Sequence, residues 1–316
     1  MEGNILLRYP SKEKKIFRLN AGEDSFYLCP FQDAEPTIFR GTIEEYKVSE
    51  IPKFYNEEIP FCSSKEEYLF HFDNYLSAFK EHNISKAILS RVKSKDIGNI
   101  DITSLFEKMC ELYPTAFCYI FSIEGIGTWA GASPELLISY KENIIHTVAL
   151  AGTKYSADEE VWTEKERVEH GLVEEYIKAL ASETNPLIKE TKPHIVQAGK
   201  LYHLKSTFEF QAVKEDLPSF LSRIHPTPAI CGLPFQKSKK LIEKTEKHNR
   251  KYYCGYIGVV PKDSTSFEMY VNIRCMQIIK SIAYLYIGGG ITKDSQGEME
   301  WIESERKSET MGKIWG

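Results

Sequence analysis

Two hydrophobic periodicities alternate along this chain, and they restrict the folds that it can adopt. Residues Ile84 to Val92 alternate as a strand does, whereas the apolar positions between Ser63 and Asn83 recur at helical spacing. Strand-like segments outnumber helical ones, and several follow one another across glycine-containing turns, as in hairpins. Long helices interspersed among many strands, without strict βαβ alternation, predict an α+β fold in which helices cover large sheets.

Length and composition indicate one folded domain. A chain of 316 residues can bury a large core, and 42% hydrophobic and 27% charged residues are typical of a globular protein. Because neither an internal repeat nor a low-complexity tract marks a linker, we predict a single domain over residues 1–316. The residues up to about Pro60 suggest strands without clear chemistry.

Charge, cysteine spacing and hydropathy argue against several functional classes. A net charge of −5 disfavours a nucleic-acid partner, which needs a basic face. The seven cysteines are scattered without a Cys-x-x-Cys pair, as expected of reduced thiols in the cytoplasm. The segment Met1 to Lys15 lacks the apolar core of a signal peptide, and no apolar run approaches the roughly 18 residues of a membrane span. We therefore expect a cytoplasmic protein with no membrane or nucleic-acid partner.

Two predicted helices carry glutamates three residues apart. These are Glu166 and Glu169 on one helix, and Glu300 and Glu303 on the last. The spacing places each pair on one helix face, and Glu169 is in line with apolar positions. A buried carboxylate requires a cation or a proton, and oxygen ligands without histidine or cysteine favour magnesium. Surface ion pairs are the ordinary alternative.

Three consecutive glycines, Gly288, Gly289 and Gly290, follow an apolar strand-like segment. Their backbone amides could approach and bind an anion. Arg274, in the strand-like segment Tyr270 to Ile278, could add a bidentate contact to a carboxylate. A hairpin turn and a surface arginine are the alternatives. Neither a Gly-x-Gly-x-x-Gly segment after a first strand nor a Gly-Lys-Ser loop is present, which disfavours nucleotide chemistry.

Three further polar residues stand in apolar surroundings. Lys86 shares a strand face with Ile88 and Val92, and Glu135 enters a strand ahead of two leucines. His225 lies between an isoleucine and a proline. An edge-strand carboxylate and a packed turn histidine are alternative interpretations of the last two residues. No nucleophile motif accompanies them, so a hydrolase triad is not indicated.

Taken in order, these segments resemble the chorismate-utilising enzyme family. That family includes isochorismate synthases, salicylate synthases, and the large subunits of anthranilate and aminodeoxychorismate synthases. The resemblance covers about residues 64 to 312 and leaves 1–60 as a divergent, shortened amino-terminal part. The motifs that carry it are Lys86-Ala-Ile-Leu-Ser-Arg91, Gly131-Ala-Ser-Pro-Glu-Leu-Leu137, Leu150-Ala-Gly-Thr153, Lys165-Glu-Arg-Val-Glu-His170, His225-Pro-Thr-Pro-Ala229, Tyr253-Cys-Gly-Tyr-Ile-Gly258, Ile273-Arg274, Gly288-Gly-Gly-Ile291 and Glu300-Trp-Ile-Glu-Ser-Glu-Arg-Lys307. Each motif is weak alone, but the ordered set is specific.

The resemblance implies the α+β fold of anthranilate synthase component I, with a large two-sheet β-sandwich core, helices outside and the site in a cleft. It implies that Glu169 and Glu303 hold Mg²⁺, with Glu166 and Glu300 close behind. The metal would bind the ring carboxylate of chorismate.

The resemblance also implies roles in substrate binding and catalysis. The substrate-binding residues that it implies are Thr153, His225, Arg274, Gly288, Gly289, Gly290 and Lys307. Lys86 and Glu135 would face each other across the ring, Lys86 as the base toward water and Glu135 as the acid toward the departing hydroxyl. Desolvation would lower the pKa of Lys86 and raise that of Glu135.

Two positions distinguish branches within the family. Lys86 stands where anthranilate synthases characteristically carry glutamine, and Ala151 stands where aminodeoxychorismate synthases resemble one another in having a lysine. Both branches are disfavoured, and no amidotransferase subunit is expected. We predict an isomerase, a magnesium-dependent isochorismate synthase for menaquinone or siderophore synthesis, acting as a monomer or weak homodimer. Salicylate synthase remains the alternative, and a catalytically inactive binding protein is an alternative of another class.

Overall fold

The described part of the chain is strand-rich. A computed structural model describes residues 1–32, 35–47, 51–55, 58–154, 162, 164–182, 184–198, 201–263 and 265–315. The strands in these ranges are β1 (Gly3–Arg8), β2 (Lys14–Cys29), β3 (Thr37–Glu45), β4 (Lys86–Asp96), β5 (Phe117–Ile123), β6 (Gly127–Ser133), β7 (Leu136–Lys141), β8 (Ile144–Lys154), β9 (Leu187–Glu190), β10 (His194–Ala198), β11 (Leu201–Gln211), β12 (Gly232–Leu233), β13 (Tyr256–Val260), β14 (Ser266–Val271), β15 (Cys275–Ile279) and β16 (Ile282–Thr292). The helices are α1 (Lys65–His82), α2 (Ile102–Leu112), α3 (Glu164–Lys178), α4 (Leu217–Ile224), α5 (Phe235–Thr245) and α6 (Gly297–Gly312).

The strands form one antiparallel ladder that folds over on itself. Its order is β10-β11-β8-β7-β14-β13-β2-β1-β5-β6-β15-β16-β4-β12, with β3 beside β2 and β9 beside β11. We call β10, β11, β8, β7, β14 and β13 the first half-sheet, and β1, β5, β6, β15, β16, β4 and β12 the second half-sheet. The 16-residue strand β2 belongs to both halves, because its residues 14–18 pair with β1 and its residues 25–29 pair with β13. A strand that changes sheets at a bend makes the corner of a sandwich.

Aromatic stacking shows that the two half-sheets lie face to face. Phe117 on β5 and Tyr270 on β14 stack with ring centroids 4.8 Å apart, although three strands separate them along the ladder. Tyr119 on β5 donates a hydrogen bond to Asn272, which follows β14. The predicted α+β sandwich is therefore present, but as one folded-over ladder instead of two separate sheets.

Strand β5 shows how the side-chain period of two builds the core. Phe117, Tyr119 and Phe121 point into the interior between the half-sheets. The intervening Cys118 and Ile120 point outward, under α2. Burying one large apolar side chain stabilises a fold by roughly 2 to 3 kcal/mol, so a strand buried on both faces contributes strongly.

The helices cover the outer faces and the ends of the ladder. Helix α3 packs on β8 and β11, α6 on β16, and α1 and α5 on β4. Helix α1 begins one residue later than the predicted Ser63 capping box, because Ser64 and Glu67 exchange the two capping hydrogen bonds. Glu67 also accepts from Lys247 at 3.2 Å, a contact that Glu66 is not seen to make. No described helix is long and apolar enough to cross a membrane.

Candidate active site

Lys86 is the first residue of β4, where two neighbouring strands hold it. It pairs with Leu233 of β12 on one side and with Thr292 of β16 on the other, and its carbonyl accepts from the Ser238 hydroxyl at 3.0 Å. The half-buried side chain lies over Gly290, where a Cβ would stand 2.8 Å from the lysine Cε. A side chain at position 290 would therefore displace the end of the lysine side chain.

Glu135 lies between β6 and β7, where the chain crosses from the second half-sheet to the first. Its carbonyl accepts from the Val271 amide at 2.9 Å, and its amide donates to the Ser133 hydroxyl at 3.3 Å. Burial raises the pKa of Glu135 from its usual 4.5 to about 7, although the charges of Lys86 and Arg274 act in the opposite direction. The structure thus brings together an acid and two cations that lie far apart in sequence.

Arg274 lies between strands and not within one, which corrects the sequence prediction. The predicted strand from Tyr270 to Ile278 is broken after Val271 and resumes at Cys275, because here the chain crosses back to the second half-sheet. Arg274 has a left-handed backbone, with φ of 49°, and its carbonyl accepts from the Ala132 amide at 3.1 Å.

The Arg274 side chain shares the surroundings of Glu135. The residue is exposed overall, yet the protein atoms around its guanidinium lower its pKa, against the opposing effects of Tyr113 and Glu135. Both Glu135 and Arg274 therefore stand where the chain passes between half-sheets, and hydrogen bonds between adjacent backbone segments hold these crossings together.

The three glycines lie inside β16, whereas the sequence suggested a segment after a strand. Gly288 pairs with Ser90, and Gly290 with Ile88. The amides of Ile88 and Ser90 bond to groups on the other side of β4, so Gly288 and Gly290 point their polar groups away from β4. Strand β15 pairs with β16 only as far as Tyr286, so these groups face an edge that β15 does not cover.

Helix α6 lies against this glycine edge. The Lys307 ammonium donates to the Gly288 carbonyl at 3.0 Å and pairs with the Glu303 carboxylate at 2.7 Å. The Glu300 carboxylate lies 3.4 Å from the position that a Cβ on Gly289 would take. Glu300 and Lys307 thus lie beside the glycines, and Glu303 is more exposed than Glu300.

The predicted magnesium ligands come from two helices, and not all of them can be placed. Glu166 on α3 is half-buried, whereas the side chain of Glu169 lies outside the described residues, as does that of Thr153 on β8. Across the described part of the chain, no three acidic, histidine or cysteine side chains are grouped closely enough to hold a metal ion. Carboxylate oxygens alone remain a donor set that suits magnesium.

His225 caps the carboxyl end of α4 and is buried in the interior. Its Nε2 lies 2.9 Å from the carbonyl oxygen of Cys254, and because a carbonyl can only accept, Nε2 carries the proton. Burial lowers the pKa of His225 to about 4, against the opposing effect of this hydrogen bond. The ring is therefore neutral at pH 7, with Nδ1 as an acceptor.

The sequence of the chain matches a family of known proteins over most of its length. The family described as "Chorismate binding enzyme" matches residues 43–316. The chain belongs to this family. Isochorismate synthase EntC of Escherichia coli strain K12 is 28% identical over 246 residues, which cover 74% of this chain and 63% of that protein. The vibriobactin-specific isochorismate synthase of Vibrio cholerae is 26% identical over 308 residues, which cover 90% of this chain and 78% of that protein.

A solved structure shares the fold of this chorismate binding enzyme. MenF, the menaquinone-specific isochorismate synthase from Escherichia coli, superposes with a TM-score of 0.85 at 17% identity, over 99% of this chain and 89% of that one. At this identity the likeness concerns the fold, and it confirms the fold that the motifs predicted.

One supporting residue of the chorismate binding enzyme was not singled out from the sequence. Arg91 is buried, stacks on Trp301 at 4.1 Å from the ring centroid, and donates to Ser304 and Glu305 on α6. Arg91 thereby ties α6 to β4. Because Lys86 and Arg91 are an odd number of residues apart, their side chains lie on opposite faces of β4. An arginine within an apolar strand is the signal that could have identified Arg91 from the sequence.

Proposed function

We propose that this chorismate binding enzyme is a magnesium-dependent isochorismate synthase. The observation that carries the proposal is the Glu135 carboxyl, whose pKa lies near 7 and which shares its surroundings with Lys86 and Arg274. An acid that is still partly protonated at neutral pH, beside an amine, suits a reaction that needs both proton donation and proton removal. Curated relatives with this activity support the assignment, and the chain spans 63% of the length of EntC.

The reaction adds one water and loses another, so that the product is an isomer of the substrate. Lys86 takes a proton from water as the oxygen attacks C2 of the ring. The double bonds shift, the C4 to oxygen bond breaks, and Glu135 gives its proton to the departing hydroxide. Solvent then returns the lysine proton to the carboxylate, which restores the starting state.

The cations and glycines of the site would bind the substrate carboxylates. Arg274 and the amides of Gly288 and Gly290 would hold the carboxylate of the enolpyruvyl group, with Lys307 beside them. Chorismate carries two carboxylates, and a cleft with several cations attracts such a dianion. His225 and Thr153 would complete the polar wall.

Magnesium would be held by Glu169 and Glu303, with Glu166 and Glu300 behind them. When bound, the metal would supply a positive charge for the ring carboxylate of chorismate. The Lys307 ammonium pairs with the Glu303 carboxylate at 2.7 Å. Metal and lysine would therefore compete for this carboxylate.

The proposed chemistry also indicates which partner subunits the enzyme needs and where in the cell it works. Because water and not ammonia is the nucleophile, no amidotransferase subunit is needed. All seven cysteines are free thiols, which suits a protein that works in the reducing cytoplasm. We propose a cytoplasmic monomer or weak homodimer whose product serves menaquinone or siderophore synthesis.

The first experiment incubates the purified protein with chorismate and magnesium, with and without a chelator, and resolves the products by chromatography and mass spectrometry. An isomer of chorismate that forms only with metal is the expected result. Salicylate with pyruvate would assign the protein to the salicylate synthases instead. Chorismate that is not consumed under either condition would favour an inactive binding protein and contradict the proposal.

Metal binding can be tested without turnover. Glu303→Gln is expected to weaken Mg²⁺ binding, measured by calorimetry in the absence of chorismate, because an amide oxygen is a poorer ligand than a carboxylate. Glu309→Gln, at an exposed position on the same helix, is the matched control and is expected to bind magnesium like the unaltered protein. Equal binding by the two variants would remove Glu303 from the ligand set.

A further inference from the structure

One edge of β4 is covered by a strand for only two residues. Along its other edge β4 pairs with β16 over its whole length, but β12 pairs only with Lys86 and Ala87. Beyond them, Ile88 and Ser90 direct their backbone polar groups to this edge, where the Ile88 amide bonds to the Cys231 carbonyl at 3.0 Å. Buried backbone groups need partners, so something must complete this edge.

The side chains of Glu246 and Arg250 occupy the place of the missing strand. The Ser90 amide donates to the Glu246 carboxylate at 2.8 Å, as it would to a carbonyl of a neighbouring strand. Arg250 Nη2 donates to the Ile88 carbonyl at 2.8 Å, as an amide of that strand would. The Glu246 carboxylate thus takes the place of a carbonyl acceptor, and the Arg250 guanidinium that of an amide donor, of a neighbouring strand.

The two side chains are held by one another and by the interior. Their exposures are 1% for Arg250 and 2% for Glu246, and two hydrogen bonds of 2.7 and 2.8 Å join them. Arg250 Nη1 donates to the Ile230 carbonyl at 3.0 Å, and the guanidinium stacks on Phe31 at 4.3 Å. Only a planar fork with several donors reaches a carboxylate and two carbonyls at once, which a lysine ammonium cannot do in this geometry.

The contacts of this pair lead to two predicted site residues. Ile88 lies two positions from Lys86 on the same strand face, so a shift at the Ile88 carbonyl moves the lysine backbone. Ile230 closes the turn that begins after His225, through its amide bond to the Thr227 carbonyl. One ion pair therefore anchors both the lysine strand and the histidine turn.

We propose that Glu246 and Arg250 are positioning residues that act as a substitute strand and hold Lys86 against Gly290. The kinetic part of this proposal rests on the proposed function, whereas its structural part does not. The competing hypothesis is that Glu246 and Arg250 form a buried ion pair that only stabilises the fold. Hydrogen exchange and steady-state kinetics separate the two roles.

The structural test uses hydrogen exchange and needs no substrate. The variant Glu246→Leu with Arg250→Met removes both charges, because removing one alone leaves an unpaired buried charge. We expect a melting temperature within a few degrees of the unaltered protein, and amide exchange in the peptide 86–92 that is at least about 10-fold faster. Unchanged exchange in that peptide would overturn the proposal whether or not the protein turns over chorismate.

The kinetic test separates positioning from stability. In the same variant we expect kcat to fall about 10- to 100-fold, since small misplacements of a reacting group have effects of that size. KM for chorismate should stay within about 2-fold, because Arg274 and the glycines keep their positions. Unchanged kcat in a folded variant of an active enzyme would overturn the proposal.

Two further variants keep the test decisive. Arg250→Lys keeps a cation beside Glu246 but loses the fork. In this variant kcat should fall and the peptide 86–92 should exchange faster, so it tests the proposal even where the double variant does not fold. Phe106→Leu, on the buried face of α2, lowers stability away from the β4 edge and should leave kcat unchanged. If Phe106→Leu lowered kcat as much as Arg250→Lys does, lost stability would explain both. An unaltered protein that does not isomerise chorismate would refute the proposed function alone.

Discussion

Burial gives Glu135 and His225 opposite protonation behaviour. The Glu135 carboxyl has its pKa raised to about 7, because desolvation disfavours its charged form. The His225 ring has its pKa lowered to about 4 for the same reason, since its charged form is the protonated one. At neutral pH the Glu135 carboxyl can therefore still donate a proton, whereas the His225 imidazole stays neutral.

The raised pKa predicts how stability depends on pH. Between about pH 4.5 and 7 the unfolded chain loses the Glu135 proton while the folded protein keeps it, so stability falls as pH rises through this window. Glu135→Gln removes this loss, so the variant should melt at a higher temperature than the unaltered protein at pH 8 but not at pH 4.5. Thermal melts over this range measure the effect. If the difference in melting temperature between Glu135→Gln and the unaltered protein were the same at every pH, the prediction would be contradicted.

Lys86 offers a second test at the residue scale. Lys86→Ala should lower kcat by about 10²- to 10⁴-fold, the range for loss of a general base, without changing the circular dichroism spectrum. Lys95→Ala, on the same strand but exposed, is the matched control and should retain full turnover. Activity that survives Lys86→Ala would remove the lysine from the mechanism.

At the scale of elements, the close spacing of β4, β16 and α6 depends on glycines in β16, which carry no side chain. Gly290 leaves room for the Lys86 side chain, and Gly288 leaves room for the Tyr253 hydroxyl, which a Cβ would overlap. The same backbone presents the Gly288 carbonyl to Lys307. Glycines in a strand weaken it, and here they permit a close approach of functional groups.

Gly290→Ala tests this close approach. The added methyl would stand 2.8 Å from Cε of Lys86, so the lysine side chain must shift from its present position. We expect kcat to fall at least about 10-fold while the fold is retained, measured by initial rates and circular dichroism. Gly312→Ala, where a Cβ meets no atom within 4 Å, should keep its rate. Equal rates for both variants would show that Lys86 needs no such room.

At the scale of the whole molecule, the site lies where the chain passes between the two half-sheets. Glu135 stands at the crossing from β6 to β7, and Arg274 at the crossing from β14 to β15. Because β2 belongs to both half-sheets, neither half can open without disrupting it. The relative position of Glu135 and Arg274 is therefore a property of the packed sandwich.

This arrangement predicts cooperative unfolding. Phe117→Ala removes a ring stacked between the half-sheets and should lower the free energy of unfolding by about 3 to 5 kcal/mol. A single transition is expected for this variant and the unaltered protein, with tryptophan fluorescence and far-ultraviolet circular dichroism giving the same midpoint. Two separated transitions would show that the half-sheets fold as independent units.

The limits of sequence analysis appear at particular residues. Helix α1 and strand β4 were predicted from their periodicity, since period depends on neighbours in the chain. The capping box was placed one residue early, because two serines and two glutamates allow both registers. The strand predicted over Tyr270 to Ile278 was wrong at Arg274, because strand-like residues lie on both sides of the crossing between the two half-sheets and neither glycine nor proline marks it.

The sequence by itself determined the helical and strand periods and the order of motifs that identifies the family, and it predicted which residue types carry the chemistry. All of these depend on the chain locally. The resemblance already implied that Lys86 and Glu135 face each other, and only the tertiary structure decided that Arg274 joins them, because the folding over of one ladder brings distant segments together. The tertiary structure also decided the pKa of Glu135, since a titrating group responds to the burial and charges around it, which no local pattern records.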